Sequence, residues 1–144
     1  MLIAHVIRDK GAVVHTLIAD LTLEHAAKEL HTKRVGALVV LDEGGEILGV
    51  LSERDIVREV ARRGAECLKD RVSSAMSRAV ITAREHETVD DGLARMTDRR
   101  VRHLPVVDAN GGLIGIISIG DLVKHRIAAV EADAAALEAY ISTH

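Results

Sequence analysis

Apolar residues recur along the chain in two patterns, one with the spacing of helices and one with the short runs typical of buried strands. The helical spacing occurs twice, each time directly after a threonine. The apolar residues are Leu23, Ala26, Ala27 and Leu30 in the first stretch, and Val89, Gly92, Leu93 and Met96 in the second. Each stretch predicts an amphipathic helix, with Thr22 and Thr88 as its N-cap. A short extended segment is expected to precede each helix and to end at Thr16 or Thr82.

Aliphatic runs follow each helix in pairs, and each pair is separated by a turn that contains two glycines. The runs cover residues 37–41 and 47–51 in one half of the chain, and 104–107 and 113–118 in the other. Each pair predicts a β-hairpin. A second helix is predicted at 55–61 and again from Asp121, so each half of the chain has the order β-α-β-β-α.

The two halves are copies of one another. A shift of 66 residues aligns 14–57 with 80–123 without a gap, and 13 of the 44 pairs are identical. This predicts a tandem duplication. One unit of this size has too little core to be secure alone, so we expect the two copies to pack against each other.

Composition and charge exclude several classes of function. The chain has 144 residues, Tyr140 is its only aromatic residue, and its net charge is −3, which disfavours nucleic-acid binding. Cys67 is the single cysteine, so no intramolecular disulfide can form. No apolar run approaches the roughly 20 residues that span a bilayer, and the start of the chain does not resemble a signal peptide. We therefore expect a cytoplasmic protein without membrane contact.

Other candidate chemistry is weak. None of the eight histidines pairs with a nearby cysteine at a ligand spacing, and His25 and His31 have no carboxylate at a known spacing, so no metal site is predicted. Cys67, near Arg62 and Arg63, is expected at the surface of the connection between the copies. No nucleophile–base pair, Walker-type lysine or Rossmann glycine fingerprint is present, which predicts a protein that is not an enzyme.

The most specific signal is a doubled motif, GVLSERD at 49–55 and GIISIGD at 115–121. Ser-x-x-Asp at a strand-to-helix junction can be a capping box that satisfies free backbone amides. The same aspartate could instead accept hydrogen bonds from both hydroxyls of a ribose, with the serine reaching a phosphate or sugar oxygen. Both interpretations use the same atoms. Gly49 and Gly115 could allow close approach of a base or of a neighbouring strand.

The β-α-β-β-α repeat, the hairpin glycines and this doubled motif resemble a tandem pair of CBS (cystathionine β-synthase) domains, or Bateman module, from about Val6 to Ile127. The segments RHLPV at 102–106 and AYI at 139–141 are similar to short stand-alone bacterial CBS proteins. The resemblance implies an α/β (α+β) fold of two repeats packed about a pseudo-two-fold axis, plus a C-terminal helix. It places the repeats at 1–66 and 67–128 and the helical tail at 129–144.

The resemblance also implies a function. Such modules bind adenosine-containing ligands between their repeats and commonly form dimers, so it implies a regulatory module that senses energy or redox state through AMP, ADP, ATP or NAD(H), without an obligatory cofactor. A homodimer and a separate regulated protein are the implied partners. The alternative is a constitutive dimerisation or interaction scaffold without a nucleotide role. The implied nucleotide-binding residues are Thr16, Gly36, Ala37, Leu38, Ser52, Arg54, Asp55, Ile81, Thr82, Arg102, His103, Leu104, Pro105, Ser118 and Asp121.

The copies differ where ligands would bind. Arg54 in the first copy corresponds to Gly120 in the second, and Gly36-Ala37 corresponds to Arg102-His103. Arg54 either binds a phosphate or is a solvated arginine at a helix start. His103 either lines the binding site or is a structural histidine. We expect either two nucleotide sites of different affinity or a single site that binds nucleotide.

Two further features each have two interpretations. The arginines at 95, 99, 100 and 102 form either a solvated helix end or a source of phosphate attraction. A heptad-like stripe in the tail either pairs with a second subunit or packs back on its own domain; its members are Ile127, Val130, Ala134, Leu137 and Ile141.

Overall fold

The computed structural model describes residues 1–11 and 13–144, and they form two compact units. The first-repeat unit is Val13–Ile81, and the second-repeat unit combines Met1–Ala12 with Thr82–His144. The N-terminal segment therefore belongs with the second repeat, although it is continuous in sequence with the first.

The secondary structure follows the same order in both repeats. The helices are α1 (Ile3–Lys10), α2 (Leu23–Lys33), α3 (Glu53–Arg63), α4 (Val89–Arg99) and α5 (Ile119–Thr143). The strands are β1 (Thr16–Ile18), β2 (Ala37–Leu41), β3 (Ile47–Ser52), β4 (Ala83–Arg84), β5 (His103–Val107) and β6 (Leu113–Ser118). Two short 3-10 helices, Ala65–Lys69 and Val72–Ser74, connect α3 to the second repeat.

Each repeat contains one three-stranded sheet, ordered β1-β2-β3 or β4-β5-β6. The first pair of strands is parallel and the second pair is antiparallel in both sheets. The predicted β-α-β-β-α order and both hairpins are confirmed. At the hairpin turns, Asp42 and Asp108 accept backbone N–H bonds through Oδ1, and Gly45 and Gly111 adopt φ of 86° and 83°. The glycines suit these turns because a side chain disfavours that conformation.

The cores are aliphatic, as the near absence of aromatic residues requires. In the first-repeat unit, Leu23, Leu38 and Leu51 are fully buried between the sheet and its helices. In the second-repeat unit, the fully buried side chains include Ile3, Leu104, Ile117 and Leu122. Along the described residues, none of the helices has both the length and the apolar character needed to cross a bilayer.

The N-terminal helix α1 was not predicted. Its first free N–H groups, on Ile3 and Ala4, donate to the carbonyls of Glu87 and Glu85 at 2.8 and 2.9 Å. An eight-residue helix is marginal alone, so these contacts with the second repeat account for α1 better than its own sequence does.

Five other details differ from the sequence-based expectation. Strand β1 begins at Thr16, and β4 begins just after Thr82, whereas both were expected to end there. Helix α3 begins at Glu53 rather than Asp55, and α5 is one continuous helix of 25 residues. Cys67 is buried at 1% exposure, so the expected surface position is wrong.

Candidate functional site

Both copies of the Ser-x-x-Asp motif form a reciprocal capping box at a strand-to-helix junction. In the first repeat, the Ser52 N–H donates to Asp55 Oδ2 at 2.8 Å, and the Asp55 N–H donates to Ser52 Oγ at 3.3 Å. In the second, the Ser118 N–H donates to Asp121 Oδ2 at 2.9 Å, and the Asp121 N–H donates to Ser118 Oγ at 3.1 Å. The capping interpretation is confirmed, and it fixes both carboxylates at the start of a helix, where the helix dipole favours negative charge.

The first-repeat unit brings most of its candidate residues to one edge of the sheet. Ala37 pairs with Ser52 across β2 and β3, and the Glu53 N–H donates to the Gly36 carbonyl at 3.0 Å. Thr16 is exposed at the start of β1, which begins at the same edge. Arg54 is exposed on the first turn of α3. The side chain of Leu38, in contrast, is fully buried, so this residue can offer only its backbone to a ligand.

The second-repeat unit repeats this arrangement. His103 pairs with Ser118, and the Ile119 N–H donates to the Arg102 carbonyl at 2.8 Å. Leu104 and Pro105 are buried, which again leaves their backbone as the available part. Thr82 lies directly before β4, whereas Ile81 is the last residue of the other unit.

The two motif aspartates have different cationic partners. Asp55 Oδ1 accepts a hydrogen bond from Arg58 Nη2 at 2.9 Å, one turn along the same helix. Asp121 Oδ2 accepts one from Lys10 Nζ at 2.6 Å, and Lys10 comes from the end of α1. The Arg58 pairing could have been read from the i, i+3 spacing, whereas a pairing across 111 residues leaves no local signal in the sequence.

The Asp121 carboxyl is ionised at neutral pH. Burial raises its pKa, but the hydrogen bonds from Lys10 Nζ and the Ser118 amide outweigh burial and hold the pKa below its usual value. An ionised carboxylate accepts hydrogen bonds only, which suits the hydroxyl groups of a sugar.

The motif glycines admit neighbouring chain segments. A Cβ at Gly49 would lie 2.5 Å from the Ser77 carbonyl oxygen, and one at Gly115 would lie 2.5 Å from Ile7 Cδ1. Val50 and Ser77 exchange two backbone hydrogen bonds of 3.0 and 2.9 Å beside Gly49. Of the two roles considered for these glycines, close packing of a protein segment is the one observed.

The arginine cluster is divided between two environments. Arg95 donates to both carboxylate oxygens of Glu87 at 2.9 and 2.5 Å and to the Thr82 carbonyl at 3.0 Å. This pairing lowers the pKa of Glu87 and raises that of Arg95. The other three arginines are exposed at the end of α4 and beyond it, and Arg100 is the left-handed C-cap with φ of 55°.

A cavity of about 690 Å³ opens in the first-repeat unit beside the candidate site. It contains Gly36 but not Ser52 or Asp55, and its lining is Leu30, His31, Thr32, Arg34, Val35, Gly36 and Glu53. Among the residues that the structure describes, no three histidine, cysteine or acidic side chains form a group able to hold a metal ion.

Comparison with known proteins identifies the repeats. A crystal structure of a CBS-domain-containing protein from Agrobacterium tumefaciens is 42% identical, with a TM-score of 0.84, and the match covers 87% of this chain and 92% of that one. A protein with CBS domains from Burkholderia ambifaria is 37% identical, with a TM-score of 0.83 and coverage of 89% and 95%. An uncharacterised protein of Acidianus ambivalens is 35% identical over 77% of this chain and 66% of its own length.

Several more distant structures contain adenosine compounds. A CBS domain protein from Pyrobaculum aerophilum, complexed with AMP, is 28% identical with a TM-score of 0.75 over 84% of this chain and 89% of that one. CBSX2, also in complex with AMP, is 26% identical with a TM-score of 0.65, over 79% and 87% of the two chains. A CBS domain pair in complex with 5′-methylthioadenosine and S-adenosyl-L-methionine is 26% identical with a TM-score of 0.76, over 86% and 94%.

The matches to longer proteins are partial. The chain spans 66%, 53% and 61% of the lengths of three curated relatives. The inosine-5′-monophosphate dehydrogenase of Methanocaldococcus jannaschii is 31% identical, but the match covers only 22% of that enzyme. The family model of the CBS domain matches residues 12–62 and 72–128, and the chain therefore belongs to the CBS domain family and carries two tandem copies of the domain.

Proposed function

We propose that this protein is a regulatory module that binds an adenine nucleotide (AMP, ADP, ATP or NAD(H)) and passes its occupancy to a regulated protein as a conformational change. The observation that carries the proposal is the pair of aspartates, Asp55 and Asp121, held at equivalent strand-to-helix junctions. The AMP and S-adenosylmethionine complexes of related CBS proteins support an adenosine ligand.

The hydrogen bonds of the two carboxylates suit a ribose. In both repeats Oδ2 accepts the capping amide, which leaves Oδ1 for a sugar hydroxyl. At Asp121, Oδ1 can accept one ribose hydroxyl directly, but the second hydroxyl needs Oδ2, where Lys10 is bound. At Asp55, Oδ1 must release Arg58. Arg58 is half-exposed, so its side chain can move into solvent at little cost.

Neighbouring groups suit a phosphate. Ser52 Oγ and Ser118 Oγ lie at helix N-termini, where the dipole favours an anion. Arg54 is exposed two residues after Ser52, and among the described residues it forms no ion pair of the kind that holds Arg58, Arg62 and Arg63. It supplies the phosphate clamp in this proposal, and Gly120 offers no counterpart in the second repeat.

Regulation then follows from linkage. A nucleotide that binds one conformation more tightly shifts the population towards it, by no more than the difference in its two affinities. Because the dehydrogenase match covers only 22% of that enzyme, we propose regulation rather than catalysis as the role of this chain.

The test is calorimetric titration with AMP, ATP and NADH of the wild type, Asp55→Asn and Asp121→Asn. Hydrogen bonds to a charged group contribute about 1.5–3 kcal/mol, so loss of the carboxylate should weaken binding at its own site roughly tenfold or more. Asp91→Asn is the matched control, because Asp91 forms the same capping box with Thr88 at the start of α4. Submillimolar binding that both motif variants retain would contradict the assignment.

We further propose that the protein is a homodimer paired through α5. Every residue from 130 to 144 is exposed, so the stripe does not pack back on its own unit. Ile127, Val130, Leu137 and Ile141 are between 50% and 65% exposed on one face of the helix. This observation also favours the second candidate function, a constitutive dimerisation scaffold that has no nucleotide dependence.

A further inference from the structure

The nucleotide site proposed in the second repeat is already occupied by a side chain of the same unit. Lys10 Nζ lies 2.6 Å from Asp121 Oδ2 and 2.9 Å from the Ile116 carbonyl oxygen. It satisfies the carboxylate that would otherwise bind ribose, and it places a positive charge beside the motif. Both side chains keep partial contact with solvent, at 33% and 27% exposure, so the pair can open without rearrangement of the core.

The residue before Lys10 reinforces this contact. Asp9 Oδ2 lies 3.1 Å from His125 Nε2, and the opposite ring nitrogen of His125 lies 2.9 Å from the Asp121 carbonyl oxygen. Ile7 packs directly over Gly115, where no side chain stands in its way. Three residues near the C-terminal end of α1, Ile7, Asp9 and Lys10, therefore contact the start of α5 and β6 around the motif.

Within the part of the chain that the structure describes, the motif aspartate of the first repeat has no lysine partner from another element. The 66-residue offset, extended beyond the aligned segment, puts Met76 opposite Lys10 in sequence, but in the structure Met76 packs on Gly49 as Ile7 packs on Gly115. Met76 is 8% exposed and packs against Gly49, and a thioether cannot neutralise a carboxylate. Asp55 is instead paired with Arg58 from its own helix, which can turn away without moving another element.

We propose that Lys10 is a built-in competitor for the nucleotide at Asp121, so that a ligand binds the second repeat only by displacing Lys10 and loosening the end of α1. This inference rests on the proposed nucleotide-binding function. It makes the first repeat the tighter site, and it makes α1 the element that reports occupancy of the second. Lys10 competes only with ligands that bind the Asp121 carboxylate. In this proposal the ligand group that binds it is the ribose of a nucleoside phosphate.

The experiment is titration with AMP in an Asp55→Asn background, which isolates the second site. Lys10→Met removes the charge but keeps a long unbranched side chain, and it should tighten AMP binding roughly fivefold, the upper range of a partly exposed ion pair. Lys28→Met is the matched control, because Lys28 forms an exposed ion pair with Glu24 far from either motif in the sequence. It should leave the affinity unchanged.

Hydrogen exchange provides a second readout on the wild-type protein. Saturating AMP should speed amide exchange in residues 3–10, and Lys10→Met should speed it without AMP. If Lys10→Met leaves the AMP affinity unchanged, Lys10 does not compete with AMP. If Lys10→Met lowers the affinity, Lys10 is a phosphate ligand instead. Either result overturns this inference but leaves the proposed function in place. If the wild type binds no AMP at either site, the proposed function fails, and the inference fails with it.

Discussion

At the scale of single residues, Gly49 shows how packing alone can require glycine at a motif position. A Cβ there would meet the Ser77 carbonyl oxygen at 2.5 Å and Met76 Sδ at 2.9 Å. A backbone carbonyl cannot turn away as a side chain can. We therefore expect Gly49→Ala to lower the free energy of unfolding by about 1–3 kcal/mol, as measured by urea denaturation.

Alanine substitutions at two other glycines provide a comparison for the destabilisation expected at Gly49. Gly115→Ala would meet only the tip of the Ile7 side chain, which can change rotamer, so it should cost less than Gly49→Ala. Gly44→Ala is the control, because its Cβ would approach nothing closer than Asp42 Oδ1 at 3.4 Å. Equal stability of the Gly49 and Gly44 variants would show that the close contact with Ser77 does not exist in solution.

Residue-level prediction from the sequence succeeded where the interactions are local. The capping roles of Thr22, Thr88, Ser52 and Ser118 depend on neighbours three residues away, and all four are confirmed. The Lys10–Asp121 pair and the burial of Cys67 depend on contacts between distant segments. Nothing in the neighbouring residues of these positions indicates which distant group they will meet.

At the scale of elements, α2 and α4 end in the same unusual way. Arg34 and Arg100 occupy equivalent positions and adopt left-handed conformations, with φ of 56° and 55°. This conformation costs a residue with a Cβ roughly 1 kcal/mol, and glycine avoids most of that cost. Arg34→Gly should therefore raise the free energy of unfolding by about 0.5–1 kcal/mol in a urea titration.

The adjacent position distinguishes this effect from a general effect of glycine. Lys33 is the last residue of α2 and has helical geometry, so Lys33→Gly should destabilise the protein by up to about 1 kcal/mol. The two neighbouring substitutions are thus expected to have opposite signs. Destabilisation by both would mean that the Arg34 side chain makes a contribution larger than its backbone cost.

The predicted elements and helix α1, which was not predicted, differ in what stabilises them. The hairpins follow from aliphatic runs around Gly-Gly turns, and α2 and α4 follow from a threonine cap and an apolar face. Helix α1 has only eight residues, and its first amides are satisfied by Glu85 and Glu87. A sequence pattern cannot show that a distant segment provides those acceptors.

At the scale of the whole molecule, the exposed stripe of α5 governs assembly. Leu137 belongs to this stripe and is 59% exposed, so Leu137→Asn should shift sedimentation from dimer towards monomer. Ala139→Asn is the control, because Ala139 lies on the opposite face in the heptad pattern. Unchanged sedimentation of Leu137→Asn would contradict a dimer paired through α5. A dimer that never responds to nucleotide, in a protein that binds none, would favour the scaffold function.

The nucleotide-binding claim is tested most directly by a crystal structure of the protein grown with AMP. We expect the ribose hydroxyls within hydrogen-bond distance, about 2.5–3.0 Å, of the carboxylate of Asp55, and of Asp121 where Lys10 has been displaced. An AMP molecule bound elsewhere, with both aspartates retaining only their capping and ion-pair contacts, would contradict the account.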